Sequence, residues 1–155
     1  MIVRLTIYIL SFLLILCGHA VAEDRGFGLG VILGEPTGIS GKYWVTSNIA
    51  VDGAAAWSFV GDDGVQLHAD VLYHKFGLFN VKAGKLPIYF GAGARIKFTI
   101  DDDNRFGIRV PVGIDYIFEN IPLDIFFELV PIVDFAPSTK FAFNGGVGVR
   151  YFFHK

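Results

Sequence analysis

The 155-residue sequence predicts an all-β fold, an eight-stranded antiparallel up-and-down transmembrane barrel with a polar interior and an apolar lipid-facing exterior. Three observations predict it. From Phe27 to Phe153 the side chains alternate in character with the two-residue period of a half-buried strand. One face of every alternating segment lacks charged and strongly polar side chains. The other face balances Lys42, Arg95, Lys97, Arg109 and Arg150 against Asp52, Asp70, Asp115, Asp124 and Glu128, with many glycines between.

The eight segments follow in order from their apolar positions. They run from Phe27 to Leu33, Ile39 to Val45, Ile49 to Phe59, Val65 to Tyr73, Ile88 to Ile100, Phe106 to Tyr116, Leu123 to Pro131 and Phe141 to Phe153. Turn chemistry separates them: Gly34-Glu35-Pro36-Thr37-Gly38, Thr46-Ser47-Asn48, Gly61-Asp62-Asp63-Gly64, Asp101 to Arg105, Glu119-Asn120 and Ala136-Pro137-Ser138. Pro111 and Pro131 fall inside strands of a sheet without a free edge, so bulges are expected there. Volume decides which face is inside. Side chains just fill an eight-stranded barrel, and this interior has no room for so many Phe, Tyr, Ile and Leu. The glycine-rich face leaves space beside long charged side chains and so belongs inside, with the apolar face toward lipid.

Residues 1–22 read as a secretory signal peptide, with Arg4, an apolar stretch from Leu5 to Leu16, and an Ala20-Val21-Ala22 site cut before Glu23. Cys17 follows Leu16, where a lipidation site wants a small residue, so lipidation is not expected. Residues 23–155 form one domain, the outer-membrane β-barrel, without cysteine. Loss of Arg4 makes its formal charge one unit more negative than the −2 of the whole chain, a balance that argues against nucleic-acid binding. The 53% hydrophobic content suggests helical spans, yet no segment beyond the first supplies an uninterrupted apolar run of that length.

With both termini periplasmic, the outward connections hold Asp62, Asp63, Asp101, Asp102, Asp103 and Asp134, giving an acidic outer rim. Aromatics gather as girdles at the two lipid interfaces. Phe27, Tyr43, Tyr73, Phe90, Tyr116, Tyr151 and Phe153 mark the periplasmic end, and Trp57, Phe59, Phe98, Phe106, Phe141 and Phe143 the outer end. The longest connection, Lys75 to Lys85, is periplasmic in this register. It mixes Lys75, Lys82 and Lys85 with Phe76, Leu78, Phe79 and Val81. Three readings stay open: an extended strand pair, a rest at the anionic leaflet interface, or a contact with a periplasmic protein.

The pattern resembles the small stand-alone outer-membrane barrels, with the architecture of the OmpA membrane domain and OmpX. The strings Gly34-Glu35-Pro36-Thr37-Gly38-Ile39-Ser40-Gly41-Lys42, Leu67-His68-Ala69-Asp70, Tyr89-Phe90-Gly91-Ala92-Gly93-Ala94-Arg95 and Arg109-Val110-Pro111-Val112-Gly113 are similar to a largely uncharacterised family of such barrels. The resemblance implies outer-membrane lipid as surroundings, and the barrel-assembly machinery as a partner that reads the C-terminal strand. Tyr151 and Phe153 have the alternation of that signal, with His154 and Lys155 after them.

The inward charges and His68 form the candidate site. A charge in a narrow lumen is costly unless paired, so these residues are expected to make a salt-bridged network in a monomer. The lumen is then largely closed, and the role is structural or interactive. The alternatives are a narrow gated ion or water pore, and a soluble lipocalin-like periplasmic carrier with its apolar face inward. No metal is expected, because His68 and Asp70 lack further ligands and His74 is a strand-end away. No catalysis or cofactor is expected either. Lipid-modifying barrels need His and Ser at the lipid face or outer rim, and Ser138 has no histidine near it. Gly26-Phe27-Gly28-Leu29-Gly30 leads into no helix and so fails as a dinucleotide loop. A host or periplasmic protein partner stays unassigned.

Overall fold

The computed structural model describes residues 26–59, 63–100 and 102–153. The signal-peptide segment, its cleavage residues Ala20, Ala22 and Glu23, and the rim residues Asp62 and Asp101 lie outside them. Among the described residues nine strands form: β1 (Phe27–Glu35), β2 (Thr37–Trp44), β3 (Ile49–Ser58), β4 (Gly64–Lys75), β5 (Ile88–Thr99), β6 (Arg105–Arg109), β7 (Val112–Ile117), β8 (Leu123–Ala136) and β9 (Lys140–Phe153). All pairings are antiparallel, and β1 pairs with β9 from Phe27↔Phe153 to Glu35↔Gly145, which closes the sheet into a ring.

The count is nine rather than eight because the sixth predicted segment divides at Val110-Pro111. Both halves, β6 and β7, lie between β5 and β8. The expected bulges are not at the prolines. Registers run through both of them unchanged, and the one irregularity toward β8 falls between Phe106 and Gly107. In antiparallel sheets a hydrogen-bonded pair exchanges two bonds, and each proline forfeits one while its carbonyl keeps the other. Gly91 donates to the Pro111 carbonyl at 3.0 Å and Val110 donates to that of Pro131 at 3.0 Å.

The ring is staggered. A path across paired residues from Glu35 through Gly145, Leu129, Val112, Phe90, Tyr73 and Ile49 returns to β1 below its first residue, so the offset exceeds the nine residues of that strand. Such a shear tilts the strands about the axis. Side chains then alternate strictly, as in β4, where inward Gln66, His68, Asp70, Leu72 and His74 are buried and outward Val65, Leu67, Val71 and Tyr73 are exposed. The predicted girdle aromatics all point outward, Phe141 being the most exposed at 84%.

Inward glycines stand opposite bulky partners on the next strand. Gly148 faces Phe126, Gly113 faces Tyr89, Gly28 faces Phe152, Gly93 faces Asp70 and Gly107 faces Asp134. A methyl group at any of these five would collide with the partner's side chain. The glycines therefore make room for rings and carboxylates at least as much as for long cations. The interior also holds apolar matter: Ile32, Leu72, Tyr89 and Phe126 cluster along the wall. Gly148→Ala is expected to destabilise the barrel by about 1–3 kcal/mol through overpacking, measured by urea unfolding in lipid vesicles. Gly41→Ala, where the added carbon meets only ordinary contacts at 3.6 Å, should leave the midpoint unchanged.

Candidate functional site

Alternation along each strand sends every second side chain into the ring, so charges distant in sequence meet across the lumen. All eleven predicted residues, Lys42, Asp52, His68, Asp70, Arg95, Lys97, Arg109, Asp115, Asp124, Glu128 and Arg150, are buried there. They sort into connected groups.

At the end carrying the connection between β4 and β5, the Lys42 ammonium donates to Asp115 Oδ2 at 2.6 Å and to His74 Nε2 at 2.9 Å. It also lies 3.6 Å from Asp124 Oδ2. Lys42 stands opposite Asp52 in register, yet it reaches across the lumen to these acids. Arg150 donates from Nε to Asp124 Oδ1 at 3.0 Å, approaches Asp52 at 3.7 Å, and lays its guanidinium 3.9 Å from the centre of the Phe126 ring. Cation and ring attract in this geometry, and Gly148 provides the space.

Further along, Arg109 Nε lies 2.9 Å from Asp70 Oδ1, close as an ion pair but out of line for a hydrogen bond. Arg109 also donates to Glu128 Oε1 at 3.5 Å, and the Tyr89 hydroxyl donates to Glu128 Oε2 at 2.9 Å. Asp52 and Asp70 are register partners on β3 and β4. Each of them has an arginine beside it, Arg150 at Asp52 and Arg109 at Asp70.

At the opposite end Arg95 binds Asp134 through two parallel bonds, Nε to Oδ1 at 3.0 Å and Nη2 to Oδ2 at 2.6 Å, the strong bidentate geometry. Its Nη1 donates to Gln66 Oε1 at 2.9 Å, which Asn144 also reaches at 3.3 Å, while Gln66 Nε2 bonds His68 Nδ1 at 3.1 Å. Lys97 is buried opposite Gln66. Asp134 corrects the sequence expectation, since it belongs to β8 and the interior rather than to an acidic outer connection. The strand runs on to Ala136, five residues past the segment read from the sequence, and alternation continued through Asp134 would have placed it inside.

His74 is buried among Trp44 at 4.4 Å and Tyr89 at 5.2 Å between ring centres, besides its bond to Lys42. Trp44, Ala50, Ile117 and Phe152 form an apolar layer below the charges, with Phe76 packed against it from the connection. At the other rim the Glu35 carboxylate accepts the Ser58 hydroxyl and the Phe59 N–H, the latter at 2.9 Å, which ties the β1–β2 turn to β3.

The structure thus defines a closed antiparallel barrel with an apolar exterior and a charge-paired interior. It is similar to the crystal structure of the N-terminal β-barrel domain of Pseudomonas aeruginosa OprF, with a TM-score of 0.65 at 16% identity over 84% of this chain and 98% of that one. The likeness establishes the barrel fold and agrees with the OmpA-like architecture. No protein-family model and no curated protein matches the chain.

Removing one partner of a buried pair strands the other. Arg95→Met is therefore expected to cost about 3–5 kcal/mol in urea unfolding. Arg95→Met with Asp134→Leu should recover part of that loss, and a double variant no better than the single one would show that the pair is not a unit.

Proposed function

We propose that the chain is an integral outer-membrane β-barrel whose eight staves, β6 and β7 forming one, span the bilayer as a monomer around a largely closed lumen. Its work is structural or interactive. The observation that carries this reading is the inverted distribution of polarity: buried ion pairs inside, and a continuous apolar surface outside. In lipid that surface has no cost and the ring leaves no unpaired edge across the bilayer. The soluble-carrier alternative needs the apolar face inside, and the exposure of the large apolar side chains along the strands speaks against it. The charged groups are buried and meet across the lumen, and Trp44, Ile117 and Phe152 pack into one apolar cluster near a mouth, which supports closure. The barrel-assembly machinery would read the C-terminal strand, in which Tyr151 and Phe153 face outward.

One arrangement favours a narrow ion path as the second reading. Arg109 sits between Asp70 and Glu128, and Arg150 between Asp124 and Asp52, so each cation has two carboxylates within reach.

The mature chain, Glu23 to Lys155, is expected to refold in detergent to a β-rich species whose electrophoretic mobility changes on boiling. A protein soluble without detergent would overturn the membrane reading. In planar bilayers the wild type should show no stepwise conductance, and Arg109→Gln none either. Steps in the wild type that change in the variant would establish the ion path instead.

A further inference from the structure

The connection between β4 and β5 is the longest in the barrel, and the open readings for it narrow in the structure. It is not an extended strand pair. Residues 76–87 contain no strand, only one bridge between Lys85 and Ile117. Its second half is laced to β7: Lys85 and Ile117 exchange two backbone bonds at 2.9 and 2.8 Å, the Tyr116 hydroxyl donates to the Ala83 carbonyl at 2.8 Å, and Asp115 N–H donates to the Pro87 carbonyl at 3.0 Å. Phe76 turns inward onto Trp44, with the Lys85 ammonium 5.6 Å from its ring centre.

The first half does the reverse. Leu78 and Phe79 turn away from the barrel and are 55% and 48% exposed. Phe79 and Lys85 line a cleft of about 430 Å³ that Ser47 and Asn48 of the neighbouring turn close on the other side. From Lys75 to Pro87 the chain carries three lysines and no acidic residue, and all three lysines are exposed. The connections at the opposite end expose Asp63, Asp102 and Asp103 instead. One mouth of the barrel is therefore net basic with protruding apolar side chains, although Glu119 is exposed there near Lys82 and Lys85, and the other is net acidic, with Lys140 also exposed.

We propose that this connection docks on anionic phospholipid of the periplasmic leaflet, with Leu78 and Phe79 entering the headgroup region and Lys75, Lys82 and Lys85 holding the phosphates. The proposal rests on the membrane-spanning reading above. Exposed apolar side chains flanked by lysines match a surface that is apolar beneath and negative on top. Lysine stems can lie along the apolar boundary while the ammonium stays at phosphate level. The backbone lacing to β7 holds the second half of the connection, with Lys85, in shape beforehand.

The test uses the chain exported with its N-terminal segment, purified from membranes in mild detergent and exposed to equal amounts of phosphatidylglycerol and phosphatidylcholine. Retained lipids are counted by native mass spectrometry. The wild type should retain phosphatidylglycerol preferentially. Lys75→Gln with Lys82→Gln should cut that preference about tenfold or more, and the matching arginine variant should keep it. Leu78→Asn with Phe79→Asn should lower retention of both lipids. Equal ratios in the wild type and the glutamine variant would overturn the proposal and leave this surface to a protein partner. A heat-modifiable band for each variant separates these outcomes from failure of the barrel itself.

Discussion

Closure of the sheet through the β1–β9 pairing is the constraint on which the rest of the molecule depends. With β1 bonded to β9 along its whole length, the ring has no edge along the wall, and its exterior can be apolar without asking anything of water. The same closure isolates the interior. Whatever points inward must be satisfied by other inward groups, because the wall offers no exit for a side chain of period two. The charges of the lumen are thus less an addition to the fold than an obligation created by it, and the pairs Lys42–Asp115, Arg95–Asp134, Arg109–Asp70 and Arg150–Asp124 join parts of the sequence that are far apart.

The way these obligations are met explains the layout of the interior. Arginines occupy positions between carboxylates, and a bidentate pair with Asp134 anchors one end. Lysine 42 and His74 share the other end with Asp115, under an apolar layer that shields them from the mouth. Buried ion pairs contribute little net stability after desolvation. Their service is to make alternative registers costly: a slip of one residue would turn Arg109 and Asp70 toward the exterior and bring Ile108 and Ala69 into the lumen.

Much of this was legible in the sequence, for a specific reason. Alternation reports the face on which a side chain lies, and the tool needs no knowledge of the partner strand. It placed Lys42, Arg95, Arg109 and Arg150 inside and the girdle aromatics outside. It does not report who meets whom, because that depends on register and shear. Lys42 could be read as the partner of its neighbour Asp52, while the structure sends it across the lumen. Asp134 was misplaced because Pro137 and Ser138 announce a turn and the strand runs nearly up to them. The division of the sixth stave at Pro111 was half visible: the missing N–H was foreseen, but the register holds without a bulge. The connection from Lys75 to Lys85 carries no period at all, so its lacing to β7 had no signal to read.

The opposition of glycine to bulk across neighbouring strands reaches beyond this one sequence. Each such pair shares a fixed volume between two residues, and the circumference of the ring does not adjust to accommodate more. A relative that carries a ring where Gly148 stands would have to carry something small where Phe126 stands, and the same exchange binds Gly113 to Tyr89 and Gly93 to Asp70. Inherited change inside such a barrel therefore proceeds in coupled steps, two positions on adjacent strands at a time, while the outer face drifts one residue by one.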